Sequence, residues 1–148
     1  MIRFISAGLM ISSPTEPASA VVGTLRVTPD ELIERGTPRF GVPDHPHEES
    51  YWALFSSKHV PEIQAEYGRD PWGRVLWILN RLPAGGELQS LRDRGYVVQL
   101  YASIVTDTPE NSFEIPLEVS RALVERGVGL ELSSMTSFDN HVSFSPEW

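Results

Sequence analysis

The chain has 148 residues, of which 41% are hydrophobic and 22% are charged, and its formal net charge is -8 at pH 7. These values are typical of one globular domain and exclude an intrinsically disordered chain. The absence of cysteine excludes disulfides, thiolate metal sites and cysteine nucleophiles. The excess of acids argues against nucleic acid as a partner, because it repels phosphate.

The amino-terminal residues combine features of a signal peptide and of a β-strand. Arg3 supplies a cation, an apolar stretch follows, and residues 18–20 (Ala-Ser-Ala) resemble a cleavage site. Ser6 and Gly8 interrupt the apolar stretch, which favours a strand over residues 4–12 and leaves export as the alternative. No apolar run approaches the ~20 residues that a membrane helix needs, so we expect a cytoplasmic protein without a membrane contact.

Hydrophobic spacing and proline or glycine breaks predict the remaining elements. The predicted strands are residues 51–56, 96–106 and 128–134, and the predicted helices are 60–68, a segment capped by Asp70, 87–94 and 116–126. Two segments compete for the first helix. A capping box at Thr28-Pro29-Asp30-Glu31 favours residues 29–35, whereas residues 17–25 can also be helical.

Three strings place an arginine directly before a glycine: Arg35-Gly36, Arg94-Gly95 and Arg126-Gly127. A cation near the last carbonyls of a helix, followed by a glycine that can adopt a left-handed conformation, is typical of a helix end. The strings therefore predict three junctions between helices and the segments that follow them.

The segment over residues 37–49 is predicted to be a long loop with three prolines, two histidines and three acids. His45 and His47 could share a divalent cation with a nearby carboxylate, since imidazole suits zinc or nickel. A solvated acidic loop is the simpler interpretation. No phosphate-binding loop and no Gly-x-Ser-x-Gly nucleophile motif is found, so the sequence favours a protein that is not an enzyme and needs no cofactor.

The tryptophans are candidates for the core or for a binding surface. Trp72 and Trp77 share a predicted helix, and we expect one to be buried and the other partly exposed. Trp52 lies in a predicted strand, where the core is the simpler place for it. An exposed tryptophan beside acids would be a good anchor for a protein partner. Asp44, Glu48, Glu49 and Trp52 are therefore the predicted partner-binding residues.

Several short sequence motifs follow one another along the chain in a recognisable order. They are Glu16-Pro17, Thr28-Pro29, Arg35-Gly36-Thr37-Pro38, Tyr51-Trp52 up to Ser56, Leu91-x-x-Arg94-Gly95-Tyr96, and a helix and strand from Leu123 to Leu132. This order resembles the uncharacterised bacterial domain-of-unknown-function family 4279. The resemblance implies a small α+β domain whose first helix is residues 17–25, with a turn at Arg35-Gly36. It implies no activity and no catalytic residues. A departure is Ile115 before Pro116, where a capping residue is expected.

We therefore predict a two-layer α+β domain over residues 1–135, with four to five mostly antiparallel strands and helices packed mainly on one face. Residues 136–148 are predicted to be a polar tail. The predicted function is protein binding, in the form of an acidic immunity-type protein that neutralises a basic toxin. The alternatives are a metal-dependent enzyme or metal sensor that uses His45 and His47, and a module that binds a small ligand.

Overall fold

The computed structural model describes residues 2–107 and 112–136, which form a mixed sheet of five strands and five α-helices. The strands are β1 (Ile2–Ser13), β2 (Glu31–Ile33), β3 (Ser50–Phe55), β4 (Val97–Thr106) and β5 (Leu130–Thr136), and the helices are α1 (Ser19–Leu25), α2 (Val60–Tyr67), α3 (Gly73–Arg81), α4 (Glu87–Asp93) and α5 (Leu117–Arg126). A 3-10 turn, Ser56–Lys58, lies between β3 and α2. Nearly all of the predicted tail, residues 137–148, lies outside the described residues.

The strands are arranged in the order β2-β3-β1-β4-β5, so the first strand of the chain lies at the centre of the sheet. β1 pairs antiparallel with both β3 and β4, and β2 pairs antiparallel with β3. β5 pairs parallel with β4, because α5 carries the chain back along the sheet between these two strands.

Alternation along the strands separates the two faces of the sheet. The side chains of Ile5, Leu9 and Ile11 on β1 are buried against the helices, together with Leu54 of β3 and Leu100 of β4. The amphipathic helix α3 contributes the largest share of the opposing apolar surface: Val75, Leu76, Trp77, Ile78 and Leu79 are all buried. The predicted two-layer α+β fold is confirmed.

The capping box predicts a helix over residues 29–35, and this prediction is wrong. The segment contains strand β2, and the first helix is α1, as the resemblance implied. Tertiary contacts explain the outcome. The Asp30 amide donates to the Ala53 carbonyl (2.8 Å), while the Glu34 carboxylate accepts the amides of Ala18 and Ser19 at the start of α1 (3.0 and 2.8 Å). Glu34 lies in the segment that the capping box predicts to be helical, but its carboxylate stabilises the start of α1 instead.

The other predicted strands and helices are present with small shifts at their ends. The strand predicted over 128–134 is found at Leu130–Thr136, and α3 begins at Gly73, because the Asp70 carboxylate accepts the Trp72 amide in a turn before the helix (3.0 Å). Trp72 and Trp77 are both buried, so the expectation that one of them is partly exposed is wrong. Trp77 lies within α3, and the Trp72 ring is buried from the turn that precedes the helix.

Two of the three Arg-Gly strings end helices. Gly127 follows α5 in the left-handed conformation (φ 63°), and Gly95 lies just beyond α4 with φ 96°. Gly36 also has a positive φ, 85°, but it follows strand β2. Its prediction as a helix end is therefore wrong, because the preceding residues pair with β3 instead of forming a helix.

Candidate partner-binding surface

The residues after β2 form a protruding loop, residues 36–49, which we call the acidic loop. Two hydrogen bonds close its base: the Gly36 amide donates to the His47 carbonyl and the His47 amide to the Thr37 carbonyl, both at 2.9 Å. A β-bridge between Arg39 and Val42 tightens its tip. Phe40 lies at this tip and is fully exposed. A closed backbone thus presents a large aromatic ring to solvent.

Three of the four predicted partner-binding residues lie on the surface. Asp44, Glu48 and Glu49 are exposed on the acidic loop. Trp52 is not: its exposed fraction is 0%, and its ring is part of the core beneath β3. Its prediction as a contact residue is wrong, since side chains alternate along β3 and that of Trp52 points to the helices. The exposed aromatic ring that sequence reasoning sought is Phe40, which the prediction of a solvated loop passed over.

A groove joins the acidic loop to the sheet. It has a volume of about 290 Å³ and is lined by Ile33, Arg39, His47, Glu48, Glu49 and Tyr51. Ile33 and Tyr51 are cross-strand neighbours on β2 and β3. The predicted acids Glu48 and Glu49 therefore stand beside apolar and aromatic surface of the sheet.

The sheet face opposite the helices carries a second group of large side chains. We call it the open sheet face and define it by Met10, Glu31, Ile33, Tyr51, Phe55, Val97 and Tyr101. Strand register places them together: Gly8 of β1 lies between Phe55 and Tyr101, and Met10 lies beside Ala53, which pairs with Glu31. All seven side chains keep some solvent contact, whereas Leu9, Ile11, Trp52, Leu54 and Leu100 on the other face are buried. Three aromatic rings thus lie on the antiparallel part of the sheet, with solvent on one side.

The tyrosines of the open sheet face share one electrostatic environment. Burial raises the pKa of Tyr51 and Tyr101 above the ordinary tyrosine value, and the negative charge of Glu31 raises both further. Glu31 therefore acts on both phenols although they are on different strands. A cation bound here would meet aromatic faces and a carboxylate together, which is a favourable environment for an arginine or a lysine.

The predicted metal ligands, His45 and His47, have no third ligand beside them among the described residues. His45 is exposed on the acidic loop and His47 is half-buried in the groove. Within residues 2–107 and 112–136, no group of three or more histidine, cysteine, aspartate or glutamate side chains could hold a metal ion. The structure gives no support to the metal alternative in this part of the chain.

A second polar cluster, which sequence reasoning missed, lies on the other side of β3. The Asp30 carboxylate accepts the Phe55 amide (2.7 Å) and lies 2.8 Å from His59 Nε2. The His59 ring stacks on Trp77 (4.4 Å between centroids), and the Arg81 guanidinium lies 3.8 Å from the same indole. These contacts connect the end of β3 to α3. The cluster therefore has a structural role. No local signal links Asp30 to His59, which is 29 residues away.

Comparisons with other proteins add no assignment. No protein-family model, curated protein or solved structure matches the chain. The resemblance to the domain-of-unknown-function family therefore stays a prediction. Among the helices that the structure describes, none has the length and apolar character needed to cross a bilayer.

Proposed function

We propose that this chain is a protein-binding domain that engages a basic partner through the acidic loop and the open sheet face. The observation that carries the proposal is their continuity: the groove brings Glu48 and Glu49 of the loop against Tyr51 and Ile33 of the sheet. A partner seated there contacts apolar rings and carboxylates at the same time.

The distribution of residue types supports this function. Protein interfaces concentrate their binding energy in a few aromatic or arginine side chains, with charged groups at the rim. Phe40, Tyr51 and Tyr101 supply large aromatic side chains. Each has few rotatable bonds, so little conformational entropy is lost when it is fixed in an interface. Asp44, Glu48 and Glu49 supply the acidic rim.

The net charge of -8 supports the choice of a basic partner. An acidic protein attracts a basic one before contact and raises the association rate, and salt screens this attraction. In its finer form, the proposal is that the partner is a basic toxin and that the domain blocks it by steric and electrostatic occlusion.

The test begins with affinity capture from the source cells and identification of bound proteins by mass spectrometry. Binding kinetics of each captured protein are then measured with Phe40→Ala and with the double variant Glu48→Gln/Glu49→Gln. The matched control is Glu114→Gln/Glu118→Gln, which changes the net charge equally at exposed acids away from this surface.

We expect a basic partner whose dissociation accelerates with Phe40→Ala and whose association slows with the acidic double variant. The control double variant should retain tight binding, with only the small loss of association rate that follows from its change in net charge. Capture of no basic protein at low or physiological salt contradicts the proposal, as does equal loss of binding in the control.

A further inference from the structure

A second cavity lies far from the acidic loop, at the other end of β1. It has a volume of about 440 Å³ and lies between the start of β1, helix α2 and the connection from α2 to α3. Its charged lining residues are Arg3, Arg69, Asp70 and Arg74. Three of the chain's eleven arginines thus face one cavity in a protein whose net charge is negative.

Three arginines against one aspartate give the lining a formal charge of +2. The Asp70 carboxylate accepts the Trp72 amide at 3.0 Å, so it stabilises the turn before α3. Within residues 2–107 and 112–136, neither Arg3 nor Arg69 takes part in an ion pair. The lining therefore carries two guanidinium groups that no described carboxylate neutralises.

Arg74 gives the cavity a fixed cationic wall. Its guanidinium lies 4.3 Å from the centroid of the Phe4 ring, a cation–π contact that limits its movement. Burial lowers the pKa of Arg74, because it removes water from the charged group. Arg74 therefore adds a positive charge in a fixed position to one side of the cavity.

The remainder of the wall is mostly apolar, with Ile5, Val60 and Ile63 among its residues, and it includes one amide side chain, Gln64. The volume exceeds that of a bare inorganic anion, so a ligand that fills the cavity has an organic body as well as a charge. Guanidinium groups match phosphate oxygens in geometry and form charge-assisted hydrogen bonds with them.

We propose that this cavity binds a small phosphorylated organic molecule, with the phosphate held by Arg3 and Arg69 beside Arg74 and the organic body against the apolar wall. The site is independent of the proposed partner-binding surface, since it lies at the opposite end of β1 and has the opposite charge.

Isothermal titration calorimetry with phenyl phosphate tests the proposal, with inorganic phosphate and benzyl alcohol as partial ligands. We expect saturable binding of phenyl phosphate, weaker binding of inorganic phosphate and none of benzyl alcohol. Arg3→Gln and Arg69→Gln should each weaken binding by about tenfold, because each removes a charge-assisted hydrogen bond.

The matched control is Arg35→Gln, which removes an exposed arginine beside the acidic loop and should leave binding unchanged. Circular dichroism and thermal melting establish that each variant is folded. Absence of heat up to about 10 mM phenyl phosphate, near the weak limit of specific binding, overturns the proposal. Binding that Arg35→Gln weakens as much as Arg3→Gln and Arg69→Gln overturns it too, since it then reflects total charge and not the cavity.

Discussion

Gly8 and Tyr101 are matched to each other across the middle of the sheet. They are cross-strand neighbours on β1 and β4, and the Tyr101 ring lies over the α-carbon of the glycine. A Cβ atom added at Gly8 would collide with the ring and its hydroxyl group. The absence of a side chain at position 8 therefore sets the position of a large aromatic ring on the open sheet face.

We expect Gly8→Ala to destabilise the protein by about 1–3 kcal/mol, because the added methyl group must displace Tyr101. The same substitution in a Tyr101→Ala background should be neutral or stabilising, since the collision is gone and alanine restricts the unfolded chain more than glycine does. Urea unfolding of the four proteins measures the difference. An equal loss of stability in both backgrounds would show that the collision is not the cause.

The two tyrosines of the open sheet face also allow their electrostatic environment to be tested. Glu31→Gln removes a negative charge that raises the pKa of both Tyr51 and Tyr101. We expect both pKa values to fall but to stay above the ordinary tyrosine value of 10.0, because burial is the larger cause of the increase in each. Nuclear magnetic resonance titration of the tyrosine rings measures this. Glu62→Gln, on α2, is the control and should shift neither residue.

Strand β2 shows how a short element is determined by its neighbours. The capping box before it predicts a helix, and local preferences alone would produce one. The segment forms a strand and not a helix because Asp30 and Glu34 make hydrogen bonds outside it. Asp30 binds the end of β3, and Glu34 binds the start of α1. Neither partner can be identified from the sequence near these residues, which is why only the whole-chain resemblance predicted the first helix correctly.

Asp30 gives an experimental measure of this tertiary support. Asp30→Ala leaves the partly buried end of β3 without an acceptor for the Phe55 amide and removes the partner of His59. We expect a loss of about 1–3 kcal/mol in the free energy of unfolding. Asp30→Asn keeps one acceptor oxygen, so its loss should be smaller. Chemical unfolding compares the two, and equal losses would mean that the negative charge, and not the hydrogen bond, stabilises this end of β3.

At the scale of the whole molecule, the layered architecture was predictable and the surface features were not. Strand alternation in residues 96–106 and the helical stripe that follows Asp70 depend on neighbouring residues, so a sequence pattern reports them directly. The open sheet face and the arginine-lined cavity arise from residues that are distant in the chain, such as Tyr51 with Tyr101 and Arg3 with Arg69. The acidic loop was predicted, and its acids are exposed, but its Phe40 gives no sequence signal that distinguishes it from a core residue.

All four tyrosines have a raised pKa, with burial as the first cause in each case. The folded state therefore holds the phenol protons more tightly than the unfolded chain does. This contribution to stability is present below the ordinary tyrosine pKa of 10.0, at which half of the unfolded phenols have lost their protons, and it is lost as the pH rises through the higher folded-state values. We expect the urea midpoint to fall above pH 10, and to fall less steeply in a Tyr67→Phe/Tyr101→Phe variant. A midpoint that does not change in the wild-type protein contradicts this expectation.

The central position of β1 has a consequence for how the chain folds. Ser12 pairs with Val97 and Ile2 with Thr106, so the acidic loop, β3 and helices α2 to α4 all lie between the paired segments. Bringing β1 and β4 together restricts the long segment between them, and this loss of chain entropy comes before the strand contacts that offset it. We therefore expect slow folding relative to helical proteins of this size. During synthesis, β1 leaves the ribosome well before β4, and one edge of this apolar strand stays unpaired until then. The strand that pairs with the second edge of β1, β4, therefore also ends the period in which the nascent chain is most exposed to mispairing with other chains.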